Sequence, residues 1–140
     1  MQTRDDDTGM TKLRRPAPPP ISGRIVVVGR CASGKSLLVD GLKPLGYDAR
    51  SCAQEHSYVP DMWQRLSRPQ FLVYLHASLQ TIRQRRPAEY EQAYLCEQDR
   101  RLAHAREHCD LYVSTDALTP QQVLHLVLSA LCDRGIHPAR

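Results

Sequence analysis

A run of β-branched residues, a glycine-bounded turn and an amphipathic stretch follow one another without a gap, and together they constrain the fold more than any other feature. The run is Arg24-Ile-Val-Val-Val28, the turn covers residues 29–34, and Lys35–Leu45 carries leucines at helical spacing. An apolar run without alternation is typical of a strand buried on both faces of a parallel sheet. The segment therefore predicts the strand–turn–helix unit of an α/β domain.

The turn carries a phosphate-binding pattern. Gly29-Arg-Cys-Ala-Ser-Gly-Lys-Ser36 matches G-x-x-x-x-G-K-[ST] at every defined position. In such a turn, backbone amides and the helix N-terminus bind phosphate oxygens, the lysine reaches the β- and γ-phosphates, and the serine hydroxyl ligates Mg²⁺. We therefore expect ATP and Mg²⁺ as ligands. The residues expected to contact the nucleotide are Gly29, Arg30, Cys31, Ala32, Ser33, Gly34, Lys35, Ser36 and Leu37, with Ser36 on the metal.

Strand and helix patterns alternate along the rest of the chain. Further strands are predicted at Tyr47–Cys52, Phe71–Leu75 and Asp110–Val113, and further helices at Asp61–Arg68, Ser78–Arg86, Glu89–Glu107 and Thr119–Asp133. Such alternation predicts an α/β fold in which helices flank a small, mostly parallel sheet of four or five strands. Ligands of such sheets bind at the carboxyl ends of the strands. Asp61, Ser78 and Thr119 are the expected N-cap residues of their helices, and Gln54–Pro60 is expected to form a loop.

The organisation of the chain is simple. Residues 1–20 hold four of the ten prolines and few apolar side chains, so we expect a disordered tail followed by one domain over residues 21–140. No apolar stretch approaches the roughly 20 residues of a membrane span or resembles a signal peptide, and five unpatterned cysteines fit a cytoplasmic protein with free thiols. Nineteen Lys and Arg against fifteen Asp and Glu give only +4, which argues against a nucleic-acid partner.

The loop, the segment Phe71–Arg86 and the segment Ala105–Val123 resemble the small P-loop kinases, a group that includes shikimate, gluconate, adenylylsulfate and nucleoside monophosphate kinases. The resemblance implies a three-layer P-loop NTPase fold. It also implies that Arg83, Arg85 and Arg86 belong to a lid over the phosphates and that Thr115 and Asp116 lie near the base. The alternative for the arginines is a solvated helix end, where cations suit the helix dipole.

The sequence departs from that group at one acidic position. Those kinases carry an Asp at the end of a strand beside the loop, whereas this chain has His76 where the resemblance would put it. The nearest substitutes follow the second strand: Glu55 as a general base or as a ligand of Mg²⁺ through water, and His56 as an acceptor contact or an aid to proton transfer. Asp48 and Asp61 are weaker alternatives.

The acceptor region is short. Between the second and third predicted strands, Ala53–Pro69 offers Trp63 and Arg65 as candidate acceptor contacts, with Tyr58 and Arg68 nearby. An aromatic ring and cations suit a small anionic or ring-bearing acceptor. A docking surface, or packing of Trp63 in the core, fits the same residues.

Two further patterns have ordinary explanations. His104 and His108 have the i,i+4 spacing of a zinc pair, but no second pair accompanies them and a solvated helix face is favoured. Cys31 lies in the loop, where neighbouring amides would favour its thiolate and make it oxidisable; a tolerated small residue is the simpler interpretation.

Taken together, these features predict an ATP-dependent phosphotransferase in which Lys35, Glu55, Arg83 and Arg86 act on the transferred phosphoryl group and a small molecule is the acceptor. The alternative is a nucleotide-dependent regulatory or binding protein that hydrolyses slowly or not at all. A nucleic acid kinase is a third option that rests on the positive charge alone. Monomer and homodimer both stay open.

Overall fold

The computed structural model describes residues 15–86 and 91–139 and confirms an α/β domain. The strands are β1 (Arg24–Gly29), β2 (Asp48–Ser51), β3 (Phe71–His76) and β4 (Leu111–Ser114). The helices are α1 (Lys35–Leu42), α2 (Leu79–Arg85), α3 (Gln92–His108) and α4 (Pro120–Asp133). Short turns of 3₁₀ helix cover Lys43–Leu45 and Gln54–His56, and a π-helical turn covers Trp63–Ser67.

The four strands form one parallel sheet in the order β2-β1-β3-β4 within the described part of the chain. Ile25 pairs with Ala49 on one side and with Phe71 on the other, so β1 is an inner strand. Because all strands run the same way, the segments that follow β1, β2, β3 and β4 meet at one edge of the sheet. The phosphate-loop pattern begins there.

Helices cover both faces of the sheet, as the unalternating apolar strands predict. Ile25 and Val27 face one core, which α1 and α4 complete. Val26 and Val28 face a second core, to which α3 contributes Leu102 and Ala105 and the π turn contributes Trp63. A third, small cluster joins Ala77, Ile82 and Leu95 beneath α2.

Two helix N-termini follow the predicted capping chemistry. The side chain of Ser78 accepts a hydrogen bond from the Thr81 amide at the start of α2. Thr119 and Gln122 form a capping box at the start of α4, with Pro120 in its first turn.

Other boundaries differ from the predictions. Helix α1 ends at Leu42 rather than at residue 45, because Pro44 lies in a separate 3₁₀ turn. The turn after β2 is helical where a loop was expected, and the N-cap position of the π turn is Met62, not Asp61, whose carboxylate pairs with Arg65 instead. Helix α3 begins at Gln92, and the earlier start predicted at residue 89 lies outside the described residues.

The N-terminal segment contacts the domain along the part that is described. Residues 15–20 have no regular secondary structure, and Arg65 and Arg68 donate hydrogen bonds to the carbonyls of Arg15 (2.7 Å) and Pro19 (2.9 Å). The first fourteen residues of the expected tail lie outside the described residues. The helices of the described ranges include none with the length and hydrophobicity of a membrane span.

Candidate functional site

The phosphate-loop pattern folds as a tight turn between β1 and α1. Three of its residues have positive φ angles: Gly29 at +155°, Ala32 at +61° and Gly34 at +104°. A left-handed conformation costs a non-glycine residue about 1–2 kcal/mol, so Ala32 is strained locally. Arg85 donates a hydrogen bond of 2.7 Å to the Ala32 carbonyl, a contact that helps to hold this conformation.

Gly29 is required by the sheet itself. A Cβ atom at this position would overlap the backbone carbonyl of Leu75 in β3 and approach the Ser33 hydroxyl to 2.8 Å. At Gly34, by contrast, a Cβ would meet open space, so its positive φ alone favours glycine. Glycine is therefore favoured at the two positions for different reasons: lack of space at Gly29 and backbone conformation at Gly34.

The start of α1 offers unsatisfied donors to an anion. The backbone amides of Gly34, Lys35 and Ser36 have no acceptor among the described residues, and they lie at the positive end of the helix dipole. Together with the turn they form the kind of amide cluster that binds phosphate.

Lys35 folds back over the loop. Its Nζ donates to the carbonyls of Gly29 (2.9 Å) and Arg30 (3.0 Å) and forms an ion pair of 2.9 Å with Glu55 Oε2. Its side chain is 13% exposed. The lysine of the pattern is thus in direct contact with Glu55, the residue that the sequence suggested as a general base or a ligand of Mg²⁺.

Glu55 lies in the 3₁₀ turn that follows β2, beside the loop. It is 3% exposed, and its second oxygen, Oε1, is buried with no hydrogen-bond partner among the described residues. His56 lies next to it and is half-exposed, with Nε2 3.7 Å from Glu55 Oε2. A buried carboxylate with a free oxygen is poised to accept a proton or to ligate a cation.

A cavity of about 590 Å³ opens over the loop, within the size range of small-molecule sites. Polar atoms of the loop, Glu55 and Thr115 line one part of it, and an apolar wall forms another. That wall consists of Leu38, Leu75, Leu118, Pro120 and Val123. Ser36 and Leu37 also line the cavity.

The arginines at the end of α2 differ in position. Arg85 and Arg86 line the cavity, and Arg85 also donates to the carbonyl and hydroxyl of Thr115, both at 3.3 Å. Arg83 is exposed and is not among the residues that line the cavity. The predicted lid cluster thus divides into two arginines at the site and one beside it.

Thr115 contacts both the loop and the end of β3. Its hydroxyl lies 3.3 Å from the carbonyls of Ser33 and His76, and its residue exposure is only 3%. Asp116 is turned toward α2 instead, where its carboxylate accepts a hydrogen bond from the Ser78 amide. Burial would raise the pKa of Asp116, but this hydrogen bond and others from Ser78 and Thr81 lower it overall.

The main contacts that sequence reasoning missed come from α3. The Gln98 side chain accepts from the Cys31 amide (3.1 Å) and donates to Cys31 Sγ (3.2 Å), which fastens the tip of the loop. Arg30 forms two hydrogen bonds with Asp99, at 2.8 and 2.6 Å, and a third with the Ala77 carbonyl. The hydrogen bond to Asp99 raises the pKa of Arg30 above its usual value.

Arg30 therefore acts as a structural clamp between the loop and α3. It is 8% exposed and, unlike residues 31–37, it does not line the cavity.

Two candidate acceptor contacts lie away from this cavity. Trp63 is 5% exposed, packs in the second core and donates from Nε1 to His104 Nδ1 at 3.1 Å. Arg65 pairs with Asp61 at 2.9 Å and with the Arg15 carbonyl. Of the three candidates, only His56 lies beside the loop. The rings of His104 and His108 stack with their centroids 4.2 Å apart, and His104 Nδ1 accepts the hydrogen bond from Trp63.

His76 ends β3 where the resemblance would put an aspartate. Its ring stacks on Tyr112, and its Nδ1 is buried without a partner among the described residues. Burial, and then the positive charge of Arg30, lower the pKa of His76. A neutral imidazole in this place supplies no carboxylate for a metal, which leaves Glu55 as the acidic group that lines the cavity.

No protein-family model matches the chain, and a search of curated proteins found no significant match.

Proposed function

We propose that this protein binds ATP with Mg²⁺ in the cavity over the loop and transfers the γ-phosphoryl group to a small hydroxyl-bearing acceptor. The observation that carries the proposal is the conformation of Gly29–Ser36: a turn between an inner parallel strand and a helix, with free amides and with Lys35 against the loop. This strand–turn–helix setting is the context in which the pattern binds phosphate.

The residues present fit both ligands. The amides of Gly34, Lys35 and Ser36 would hold phosphate oxygens, with Lys35 exchanging one of its present acceptors for phosphate. The Ser36 hydroxyl is an oxygen donor of the kind that Mg²⁺ prefers, and the unpartnered Oε1 of Glu55 would either contact the ion through water or accept a proton. The bound metal would supply positive charge to the phosphates. The apolar wall around Leu118 and Val123 suits a nucleobase.

Transfer of the phosphoryl group requires stabilisation of its negative charge and a group that accepts the proton of the acceptor hydroxyl. Arg85 and Arg86 would stabilise the negative charge on the transferring group, because both line the cavity. The acceptor oxygen forms a bond to the γ-phosphorus while the bond between that phosphorus and the bridging oxygen of ADP breaks. The proton of the acceptor hydroxyl passes to Glu55. His56, half-exposed beside Glu55, would contact the acceptor.

One observation favours the alternative of a nucleotide-dependent regulatory protein. Trp63 and Arg65, the expected acceptor contacts, are engaged in the core and in an ion pair. A protein that binds ATP without an acceptor would have the same loop and the same cavity.

The test combines nucleotide binding with an acceptor screen. Calorimetric titration with ATP and Mg²⁺ should show binding, which Lys35→Met and Lys35→Arg weaken and which Lys43→Met, an exposed lysine outside the cavity, leaves unchanged. ADP production is then measured with alcohols, sugars, nucleosides and nucleotides. A phosphotransferase gains turnover from one acceptor class and loses it in Glu55→Gln; ATP binding that no acceptor accelerates supports the regulatory alternative. Absence of binding to any nucleoside triphosphate refutes both.

A further inference from the structure

Three potential metal ligands of different types converge at the tip of the loop. Cys31 Sγ lies 3.4 Å from His56 Nε2 and 4.0 Å from Glu55 Oε2, and the last two atoms are 3.7 Å apart. In the parts of the chain that the structure describes, this is the group of three or more His, Cys, Asp and Glu residues that could hold a metal ion.

These separations match a tetrahedral zinc shell. Zinc bonds of about 2.3 Å to sulfur and about 2.0–2.2 Å to nitrogen or oxygen put neighbouring ligand atoms roughly 3.3–3.6 Å apart. Each observed separation lies within about 0.5 Å of that range. Small side-chain rotations would therefore bring all three atoms into bonding distance of one ion.

The ligand types select the metal. A thiolate and an imidazole favour Zn²⁺ over the hard cation Mg²⁺, which prefers oxygen ligands alone. Cys31 and Glu55 line the cavity, so a fourth coordination position would face the space in which phosphates are proposed to bind. Gln98 Nε2, 3.2 Å from Cys31 Sγ, supplies the outer hydrogen bond that commonly orients a ligand in such sites.

We propose that Cys31, Glu55 and His56 form a Zn²⁺ site at the tip of the phosphate loop, and that zinc there competes with Lys35 for the Glu55 carboxylate. Lys35 Nζ lies 2.9 Å from the same oxygen that the ion would take. Bound zinc therefore displaces the lysine from its partner and occupies the mouth of the phosphate site. Zinc binding stands on these three residues alone, whereas inhibition of nucleotide binding rests on the proposed function.

Metal binding is tested first, in the absence of nucleotide. Titration of the reduced full chain with Co²⁺ as a spectroscopic probe should produce sulfur-to-metal charge-transfer absorption, and Zn²⁺ should bleach it with one equivalent. Cys31→Ser should abolish that absorption. In competition with a chromophoric chelator, Cys31→Ser and His56→Ala should each weaken Zn²⁺ binding by more than about tenfold, the lower limit for loss of even an outer-shell partner.

Matched controls separate this site from other thiols and imidazoles. Cys132→Ser changes an exposed cysteine of α4, and His108→Ala removes one member of the stacked histidine pair. Neither should change the affinity for zinc. If His108→Ala abolishes binding while Cys31→Ser and His56→Ala do not, zinc binds at the histidine pair and the proposal is wrong. It is also wrong if the reduced protein binds neither Co²⁺ nor Zn²⁺.

Lys35→Met gives a readout of opposite sign for the two ligands. Removal of the competing ammonium should tighten zinc binding by about tenfold or more, the effect of roughly 1.4 kcal/mol at a pair this close. The same variant should weaken ATP binding. If zinc binds as described but does not compete with ATP, the metal site stands and its regulatory role fails. Weaker zinc binding in Lys35→Met would overturn the competition for Glu55.

Discussion

The ion pair between Lys35 and Glu55 gives the sharpest quantitative prediction for the stability of this fold. Its atoms are 2.9 Å apart, and the side chains are 13% and 4% exposed. At an effective dielectric constant of about 20, two unit charges at this distance attract by roughly 6 kcal/mol, much of which offsets their desolvation. Removing one partner of such a pair usually costs about 3–5 kcal/mol, because the other charge stays buried.

The two partners are not equivalent, so the single variants should differ. Lys35→Met leaves the buried Glu55 carboxylate without the ammonium group that neutralises it, and should lower the free energy of unfolding by about 3–5 kcal/mol. Glu55→Gln leaves Lys35 bonded to two loop carbonyls and should cost only about 1–2 kcal/mol. The double variant should cost less than the sum, with a coupling energy of at least about 2 kcal/mol.

The assay is equilibrium unfolding in urea, followed by circular dichroism and by the fluorescence of Trp63, the single tryptophan of the chain and a buried one. Lys43→Met controls for the loss of a positive charge. Additivity of the two single variants within about 0.5 kcal/mol would refute the reasoning, because it would mean that the charges do not interact in the folded protein.

Three further predictions concern the loop and its surroundings. Gly29→Ala should cost at least about 3 kcal/mol in urea unfolding, because the added Cβ overlaps a β3 carbonyl, whereas Gly23→Ala, at a φ of +79° and with open space around the added Cβ, should cost about 1–2 kcal/mol; equal losses would contradict the steric cause. The pKa of His76 is lowered in the folded protein, so the unfolded chain binds the proton more tightly. Stability that is present above pH 6.5 should therefore be lost as the pH falls through the folded-state pKa, which a pH series of melting temperatures would show. His76→Gln should reduce this dependence of the melting temperature on pH, whereas the control His125→Gln should not. Thr119→Ala should cost about 1 kcal/mol through the lost α4 cap, while Thr119→Ser should keep most of that stability; equal losses in the two variants, or no loss in Thr119→Ala, would argue against the capping box.

Elements with a strong local signal could be predicted from the sequence. The strands beginning at Arg24 and Phe71 are continuous runs of mostly β-branched or aromatic apolar residues that are buried, as is typical of central parallel strands. The caps at Ser78 and Thr119 use local chemistry that spans three residues. Glu55 could be placed beside the loop because parallel strands end at one edge of the sheet.

Features that depend on distant residues could not be predicted. Gln98 and Asp99 lie on a polar helix, and only the tertiary fold brings them to Cys31 and Arg30. The packing of Trp63 against His104 depends in the same way on how α3 crosses the sheet. Spacing alone also gave no reason to prefer Arg85 over Arg83. Such choices are made by side-chain packing, for which one sequence carries no periodic signal.

The parallel arrangement of the sheet also bears on how this chain reaches its native state. Arg24 pairs with Asp48, Ile25 with Phe71 and Val73 with Leu111, so no two adjacent strands are joined by a short hairpin. Each pairing must close a long segment before its contacts repay the lost chain entropy, and domains with such contacts fold slowly for their size. The loop at Gly29 packs on the Leu75 carbonyl, so it cannot acquire its final shape before β3 has joined β1. The loop over Gly29–Ser36 is therefore expected to form with the sheet, late in folding, rather than as a local unit that forms first.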